Sequence, residues 1–232
     1  MRILVTGAAG RVGTTVAQGL KARHQVRGHD RAEMPDLDDT FVSDLDDFDT
    51  LLEATRNIDA IAHIGGLPGG NEWQPMLQSN FIGTYNVFEA ARQNGVKRIA
   101  YASRAGVLGL YPRRQTRTID MTTTPVGIYT VSKVFAEALA HSFAHQHDME
   151  FVCVRIGNFS LERDQPEHPH HLSHGDCVRV FEQALTHPGV KFETVFGVSG
   201  SNWPLYDMEH GKRVIGYEPH DYAQVPEEDW DK

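Results

Sequence analysis

Ile3-Leu4-Val5-Thr6-Gly7-Ala8-Ala9-Gly10-Arg11-Val12-Gly13 sets a strand, a turn and the start of a helix within the first residues of the chain. The apolar run Ile3-Leu4-Val5 is β-branched at both ends and closes on Thr6-Gly7, the pattern of a strand buried on both faces. Val12, Val16 and Leu20 then recur at i, i+4 and i+8 and share one face of a helix. Between them the glycines are spaced G-x-x-G-x-x-G. The first permits a tight turn, the second lets a pyrophosphate approach the backbone, and the third lets helix and strand pack closely. A pyrophosphate there meets free N–H groups at the positive end of the helix. The segment predicts a dinucleotide site built from Gly7, Ala9, Gly10, Arg11, Val12 and Gly13.

The next strand, Gln25–Asp30, ends in a carboxylate. At that place Asp30 would accept hydrogen bonds from both adenosine ribose hydroxyls and repel a 2′-phosphate, which predicts NAD as the cofactor. Arg31 supplies the competing reading, pairing with the 2′-phosphate of NADP; otherwise it is a solvated surface arginine. Further strands are expected at 40–43, 58–64, 97–101, 151–156 and 192–198. Helices are expected around Leu51-Leu52 and over 73–93, 127–147 and 178–185. Strands alternating with helices of this length predict an α/β fold, a Rossmann-type doubly wound parallel sheet. No repeat or Gly/Ser linker divides it. We expect a single domain over residues 1–232, those from about 159 onward contributing a small C-terminal substrate-binding cap.

Composition narrows the function. The 232 residues suit one large domain. With 40% hydrophobic and 23% charged residues the chain is neither disordered nor fibrous. A formal charge of −9 is the wrong sign for wrapping nucleic acid or docking on anionic lipid. No apolar run approaches the roughly 18–20 residues of a membrane span, and the N-terminus reaches Gly7 too early for a signal peptide. Cys153 and Cys177 read as small buried hydrophobes. The expectation is a cytoplasmic protein with no nucleic-acid or membrane partner.

Tyr129 and Lys133, in Tyr129-Thr130-Val131-Ser132-Lys133, lie at i and i+4 and share a helix face. A tyrosine with a pKa near 10 is a poor base at neutral pH. A neighbouring ammonium and the positive charge of an oxidised nicotinamide both favour its phenolate. Tyr129 can then accept a proton from a substrate hydroxyl while hydride leaves the same carbon.

These motifs together resemble the extended short-chain dehydrogenase/reductase superfamily, in its NAD-dependent sugar epimerase/dehydratase group, over roughly residues 1–216. Thr6 to Gly13 is similar to its TGxxGxxG loop, and Asp44-Leu45 to the acidic pair that contacts adenine. Ala62-His63-Ile64-Gly65-Gly66 is similar to the segment that passes the nicotinamide ribose. Asn80-Phe81-Ile82-Gly83-Thr84-Tyr85-Asn86 matches NxxGTxN, and Tyr129 with Lys133 matches the YxxxK pair. Within the group the likeness is greatest to uronate dehydrogenases. It is carried by Tyr85-Asn86-Val87-Phe88-Glu89-Ala90-Ala91-Arg92, Leu110-Tyr111-Pro112, Val154-Arg155-Ile156-Gly157 and Leu172-Ser173-His174-Gly175-Asp176. The resemblance implies oxidation of glucuronate or galacturonate at the anomeric carbon with NAD. It implies Tyr129 as base and Lys133 on the nicotinamide ribose, with cofactor contacts from His63, Ile64, Gly65, Asn80 and Tyr129 itself. It also implies a homodimer through the helices at 73–93 and 127–147, on which Met76, Phe81, Phe88, Val134, Phe135 and Phe143 form an apolar surplus.

One motif departs from the pattern. In Tyr101-Ala102-Ser103-Arg104-Ala105-Gly106, the place of the superfamily's catalytic serine holds Arg104, with Ser103 one residue earlier. Either Ser103 or Arg104 polarises the reacting oxygen, or Arg104 grips an acidic substrate, since a guanidinium suits carboxylate and oxyanion alike. The competing outcome is a site that binds NAD with little or no turnover, and an NAD-retaining epimerase or dehydratase is the alternative within enzymes. Gly66, Asn158 and Arg163 are the candidates for contact with a small sugar or sugar-acid substrate. His168, His170, His171 and His174 sit on a proline-interrupted loop, which lacks the rigid spacing of a zinc site. They read as exposed loop histidines, and no metal is expected.

Overall fold

The computed structural model describes residues 1–69 and 72–231. Strand β1 (Arg2–Thr6) lies inside a seven-stranded sheet, and its Ile3, Leu4 and Val5 are fully buried. Helix α1 (Arg11–Leu20) follows, then β2 (Gln25–Asp30), β3 (Asp39–Val42), α2 (Phe48–Ala54) and β4 (Ala60–His63). After β4 come α3 (Trp73–Met76), a π-helical turn (Leu77–Ile82), α4 (Gly83–Gln93), β5 (Arg98–Arg104), α5 (Ile128–Gln146), β6 (Glu150–Ile156), α6 (His174–Thr186) and β7 (Phe192–Gly197). The strands lie in the order β3-β2-β1-β4-β5-β6-β7 and every adjacent pair is parallel. Connections run one way from β1 to β3 and the other way from β4 to β7. The crevice at the carboxyl ends of β1 and β4 is therefore the switch point, where doubly wound sheets bind ligands.

Side chains that alternate along the strands feed two cores. Ile3 and Val5 join Val16, Leu20, Val154 and Phe181 beneath α1 and α6, whereas Leu4 joins Ile61, Phe88, Tyr101, Phe143 and Phe151 beneath α2, α4 and α5. Cys153 and Cys177 are free and buried in these cores. Met76, Phe88 and Phe143 are each at most 6% exposed, so half of the expected dimer surplus belongs to the interior of one chain.

The expected helix over 73–93 is interrupted by its π-helical turn, which turns Asn80 into the interior. Strand β5 continues past the expected 101 to Arg104 because β6 pairs with it up to Arg104↔Ile156. The region after 159 is also more than a cap. Helix α6 packs Cys177, Val180 and Phe181 on the sheet, and β7 extends the sheet beside β6. The cap proper is a third core in which Val107 and Leu108 meet Trp203, Leu205, Tyr206 and Val225. It carries a short strand pair, β8 (Gly200–Ser201) with β9 (Tyr222–Ala223), and α7 (Glu209–Ile215), where the sequence pattern predicts only loops.

Candidate active site

A cavity of about 1000 Å³ runs along the carboxyl ends of the central strands. Gly7, Ala9, Gly10, Arg11, Val12, Gly13, Asp30, Arg31, Asp44, Leu45, Ile64, Gly65 and Gly66 line it, and so do Ser103, Arg104, Tyr129, Lys133, Asn158 and His170.

The glycine loop explains its own composition. Gly7 has φ +71°, and a Cβ on it would stand 2.7 Å from the backbone of Gly65. On Gly13 a Cβ would lie 1.9 Å from the Gly7 carbonyl oxygen. Helix α1 opens at Gly10 with no side-chain cap and no acidic residue in its first turn, which leaves the positive end of the helix to a phosphate. Asp30 reaches back to this loop: its carboxylate accepts from Ala9 N at 3.0 Å and from Ala32 N at 3.1 Å. Asn86 donates to Leu45 O at 3.2 Å and fixes the Asp44-Leu45 segment. These features fit a dinucleotide: a cradle that a Cβ would fill, an open helix end and a carboxylate at the ribose position.

Two polar residues read as cofactor contacts stand behind the cavity wall and brace it. His63 is fully buried, with Nδ1 2.7 Å from Thr6 Oγ1 and Nε2 3.2 Å from Thr84 Oγ1. Burial, and then the charges of Lys133 and His29, push its pKa down to about 3, so it is a neutral strut. Thr6 Oγ1 accepts from Gly65 N at 3.2 Å, which ties β1 to the loop after β4. Asn80 accepts from Leu67 N at 2.7 Å and donates to Leu67 O and Ser132 Oγ, each at 3.2 Å. It thus joins the same loop to the helix that carries Tyr129 and Lys133. The π-helical turn gives Asn80 that reach; such turns frequently mark functional sites.

At the other end, Lys133 donates to Ala102 O at 2.9 Å, and its Nζ lies 5.5 Å from the Tyr129 ring. Burial, then the charge of Arg104, lower the Lys133 pKa to about 8, with Glu137 opposing. Burial raises the Tyr129 pKa while Arg104 pulls it down. The Arg104 guanidinium lies over the Tyr129 ring, 5.4 Å from its centroid, and makes no hydrogen bond or ion pair with any described residue. Ser103 and Arg104 are neighbours on one strand and have different fates. The Ser103 hydroxyl donates to Glu137 Oε1 at 2.5 Å, and Glu137 is itself paired with Arg155 at 2.9 Å. Ser103 touches the cavity but its proton is already committed.

Arg163 does not line the cavity; its guanidinium donates to Asn158 O at 3.1 Å. The four loop histidines are half-buried and partnered rather than fully exposed. His168 packs edge-on against Trp203, His171 accepts from Glu167 N, His174 meets Ser160 O, and His170 is bonded to the Tyr206 hydroxyl. His170, His29 and Phe159 are wall residues that the sequence reading did not place in the site. The proline-interrupted loop gave no periodicity from which to find His170.

A cradle of this form defines a Rossmann-type dinucleotide-binding protein. Residues 3–191 match the NAD dependent epimerase/dehydratase family, and the chain belongs to it. It is 32% identical to the uronate dehydrogenase of Pseudomonas syringae pv. tomato, over 97% of this chain and 83% of that one. It is 30% identical to the NAD-dependent glucose-6-phosphate dehydrogenase of Haloferax volcanii, over 94% and 93%. Among solved structures, a mutant uronate dehydrogenase from Agrobacterium tumefaciens complexed with NAD superposes with a TM-score of 0.89 at 30% identity, covering 96% of this chain and 85% of that one. NAD is the cofactor, and the likeness to these dehydrogenases supports an NAD-dependent oxidoreductase.

Proposed function

We propose that the chain oxidises a small sugar acid with NAD. The observation that carries this reading is the distribution of charge in the cavity. Its lining acids, Asp30, Asp44 and Asp46, all belong to β2 and the segment after β3, whereas Arg104 and Lys133 face the other end with no carboxylate beside them on the wall. A cationic end with a free guanidinium favours an anionic substrate. Tyr129 takes the proton of the substrate hydroxyl as hydride leaves the same carbon, which becomes a carbonyl. The oxidised nicotinamide supplies the hydride acceptor. Lys133, fixed through Ala102 O, keeps its charge at neutral pH and stabilises the phenolate. Arg104 does the same from the ring face and grips the carboxylate or the reacting oxygen. The test is a panel of uronates, neutral aldoses and polyols with NAD and NADP side by side, followed as NADH formation. Net NADH on uronates supports the reading; an NAD-retaining epimerase returns its hydride and forms none.

A second reading, a non-catalytic NAD binder, is favoured by the capture of the Ser103 hydroxyl by Glu137. It expects saturable NAD binding and no turnover across the same panel.

We further infer that the chain pairs as a homodimer through α3, the π-helical turn, α4 and α5. Trp73, Ile82, Tyr85 and Val131 remain 37–50% exposed there, and an isologous contact would cover them. A monomer in light scattering at micromolar concentration would exclude it.

A further inference from the structure

The substrate end of the cavity holds one more polar group whose position is fixed and whose bonding is incomplete. His170 shares that wall with Arg104, Tyr129 and Asn158. Its Nδ1 is hydrogen-bonded to the Tyr206 hydroxyl, and the two rings stack with centroids 5.8 Å apart. Its other ring nitrogen, Nε2, has no partner among the described residues. The backbone is equally constrained. His170 N–H donates to His168 Nδ1 at 3.0 Å, and its carbonyl accepts from Asn158 N at 2.6 Å. That carbonyl lies where a Cβ on Gly157 would stand 2.2 Å away, so the loop closes tightly on the end of β6.

Tyr206 is anchored in turn. It is 8% exposed, packs on Phe196 at 4.8 Å, and lies under the buried Arg117 guanidinium at 5.9 Å. Arg117 is held by the carbonyls of Leu108 and Tyr111. Burial pushes the Tyr206 pKa up to about 12, so the phenol keeps its proton. Its hydroxyl has no hydrogen-bond partner among the described residues except His170. A buried phenol donates when it has a single acceptor within reach, which makes Nδ1 the acceptor and puts the imidazole proton on Nε2. Burial, then His168 and Arg104, hold the His170 pKa at about 4, so the ring is neutral at physiological pH. The wall thus presents a neutral N–H donor near a free guanidinium.

We propose that His170 is a specificity-determining residue: its Nε2–H donates to an oxygen of the sugar acid, and Tyr206 is the positioning residue that fixes the ring for that contact. This rests on the reading of the chain as a sugar-acid dehydrogenase. A sugar acid is dense in acceptor oxygens, and a site that holds a rigid donor rejects analogues lacking the matching oxygen, because the donor is then left unpaired.

The test measures KM and kcat on glucuronate and galacturonate for His170→Ala, His170→Gln, Tyr206→Phe and the double variant, with NADH affinity by fluorescence. His170→Ala should raise KM about 10- to 100-fold with a smaller fall in kcat and unchanged NADH affinity. His170→Gln, whose amide also donates, should recover part of the loss. Tyr206→Phe should raise KM several-fold alone and add nothing to His170→Ala, an interaction that a merely structural tyrosine would not show. A wild-type enzyme that oxidises uronates while His170→Ala keeps its KM within twofold overturns the role of His170 and leaves the dehydrogenase reading standing. If the wild type oxidises no sugar, the dehydrogenase reading falls. Galacturonate binding to the NADH complex by saturation-transfer NMR then decides the rest. Binding lost in His170→Ala upholds the contact, and binding that is equal in both, or absent in the wild type, overturns it.

Discussion

The two ends of the cavity are built from different materials. At the adenosine end the surface is mostly backbone: a loop that tolerates no Cβ at Gly13, an uncapped helix start, and a carboxylate tied to Ala9 N. At the sugar end it is side chains, with Arg104 over Tyr129, Lys133 on a carbonyl, and His170 on Tyr206. A backbone surface is specified by where side chains are forbidden and leaves little room for variation. A side-chain surface can be re-equipped one residue at a time while the scaffold beneath it is kept. The chain fits both behaviours, a glycine cradle at one end and, at the other, the Arg104 guanidinium where the resemblance leads one to expect a serine.

The comparison is broken most severely by removing the proposed base. Tyr129→Phe should lower kcat by roughly 100- to 10 000-fold with a far smaller change in NAD affinity, since it removes only the phenol hydroxyl from the cavity wall. An equal loss of NAD binding would show that the two ends are not separable. Gly13→Ala should do the reverse. Its Cβ would lie 1.9 Å from Gly7 O, so the cradle must open, and NAD affinity should fall by about 100-fold or more in a chain whose circular dichroism stays native.

Arg104→Ser asks what the substituted position does. It restores the hydroxyl of the superfamily and removes the free guanidinium. We expect a loss of roughly 30- to 1000-fold in kcat/KM on acidic sugars. The pH profile should move with it. Arg104 lowers the pKa of Tyr129 and of Lys133, so without it both rise. The limb that reports the phenolate then shifts to higher pH, and Lys133 holds its proton further into the alkaline range. A gain of activity on neutral sugars would instead show that Arg104 obstructs the site, and no shift of the profile would place it away from the reacting groups.

How much of this was legible in the sequence follows the same division. The cradle, Asp30 and the Tyr129–Lys133 pair are local patterns, and the structure brings them to one cavity. The strands and most helices follow from hydrophobic periodicity. What sequence could not give depends on contacts between distant segments. His63 and Asn80 carry the right motif but act through Thr6, Thr84, Leu67 and Ser132 from behind the wall. Ser103 is withdrawn by Glu137, 34 residues away. The placement of His170 needs Tyr206, which is 36 residues further on and held from the cap. Helix α7 was missed because seven residues give too few turns for a periodic signal.

The smallest expected effect tests the adenosine end at the Asp30 carboxylate. The Asp30 carboxylate is fixed by two backbone N–H groups, from Ala9 at 3.0 Å and Ala32 at 3.1 Å, and therefore cannot swing aside for a 2′-phosphate without giving up both. Phosphate there would bring about −1.5 to −2 further charge against it. NAD should bind at least about tenfold more tightly than NADP. Asp30→Ala should close that gap from both sides: NADP gains by relief of repulsion, while NAD loses the ribose contact and Ala9 N loses its acceptor. Arg31→Ala separates the remaining possibility. If Arg31 is a solvated surface residue, the substitution leaves both affinities unchanged. If it reads a 2′-phosphate, NADP binding alone weakens. Equal or tighter binding of NADP by the unaltered chain would transfer the discrimination from Asp30 to Arg31, and the backbone-built end would then owe its selectivity to a side chain after all.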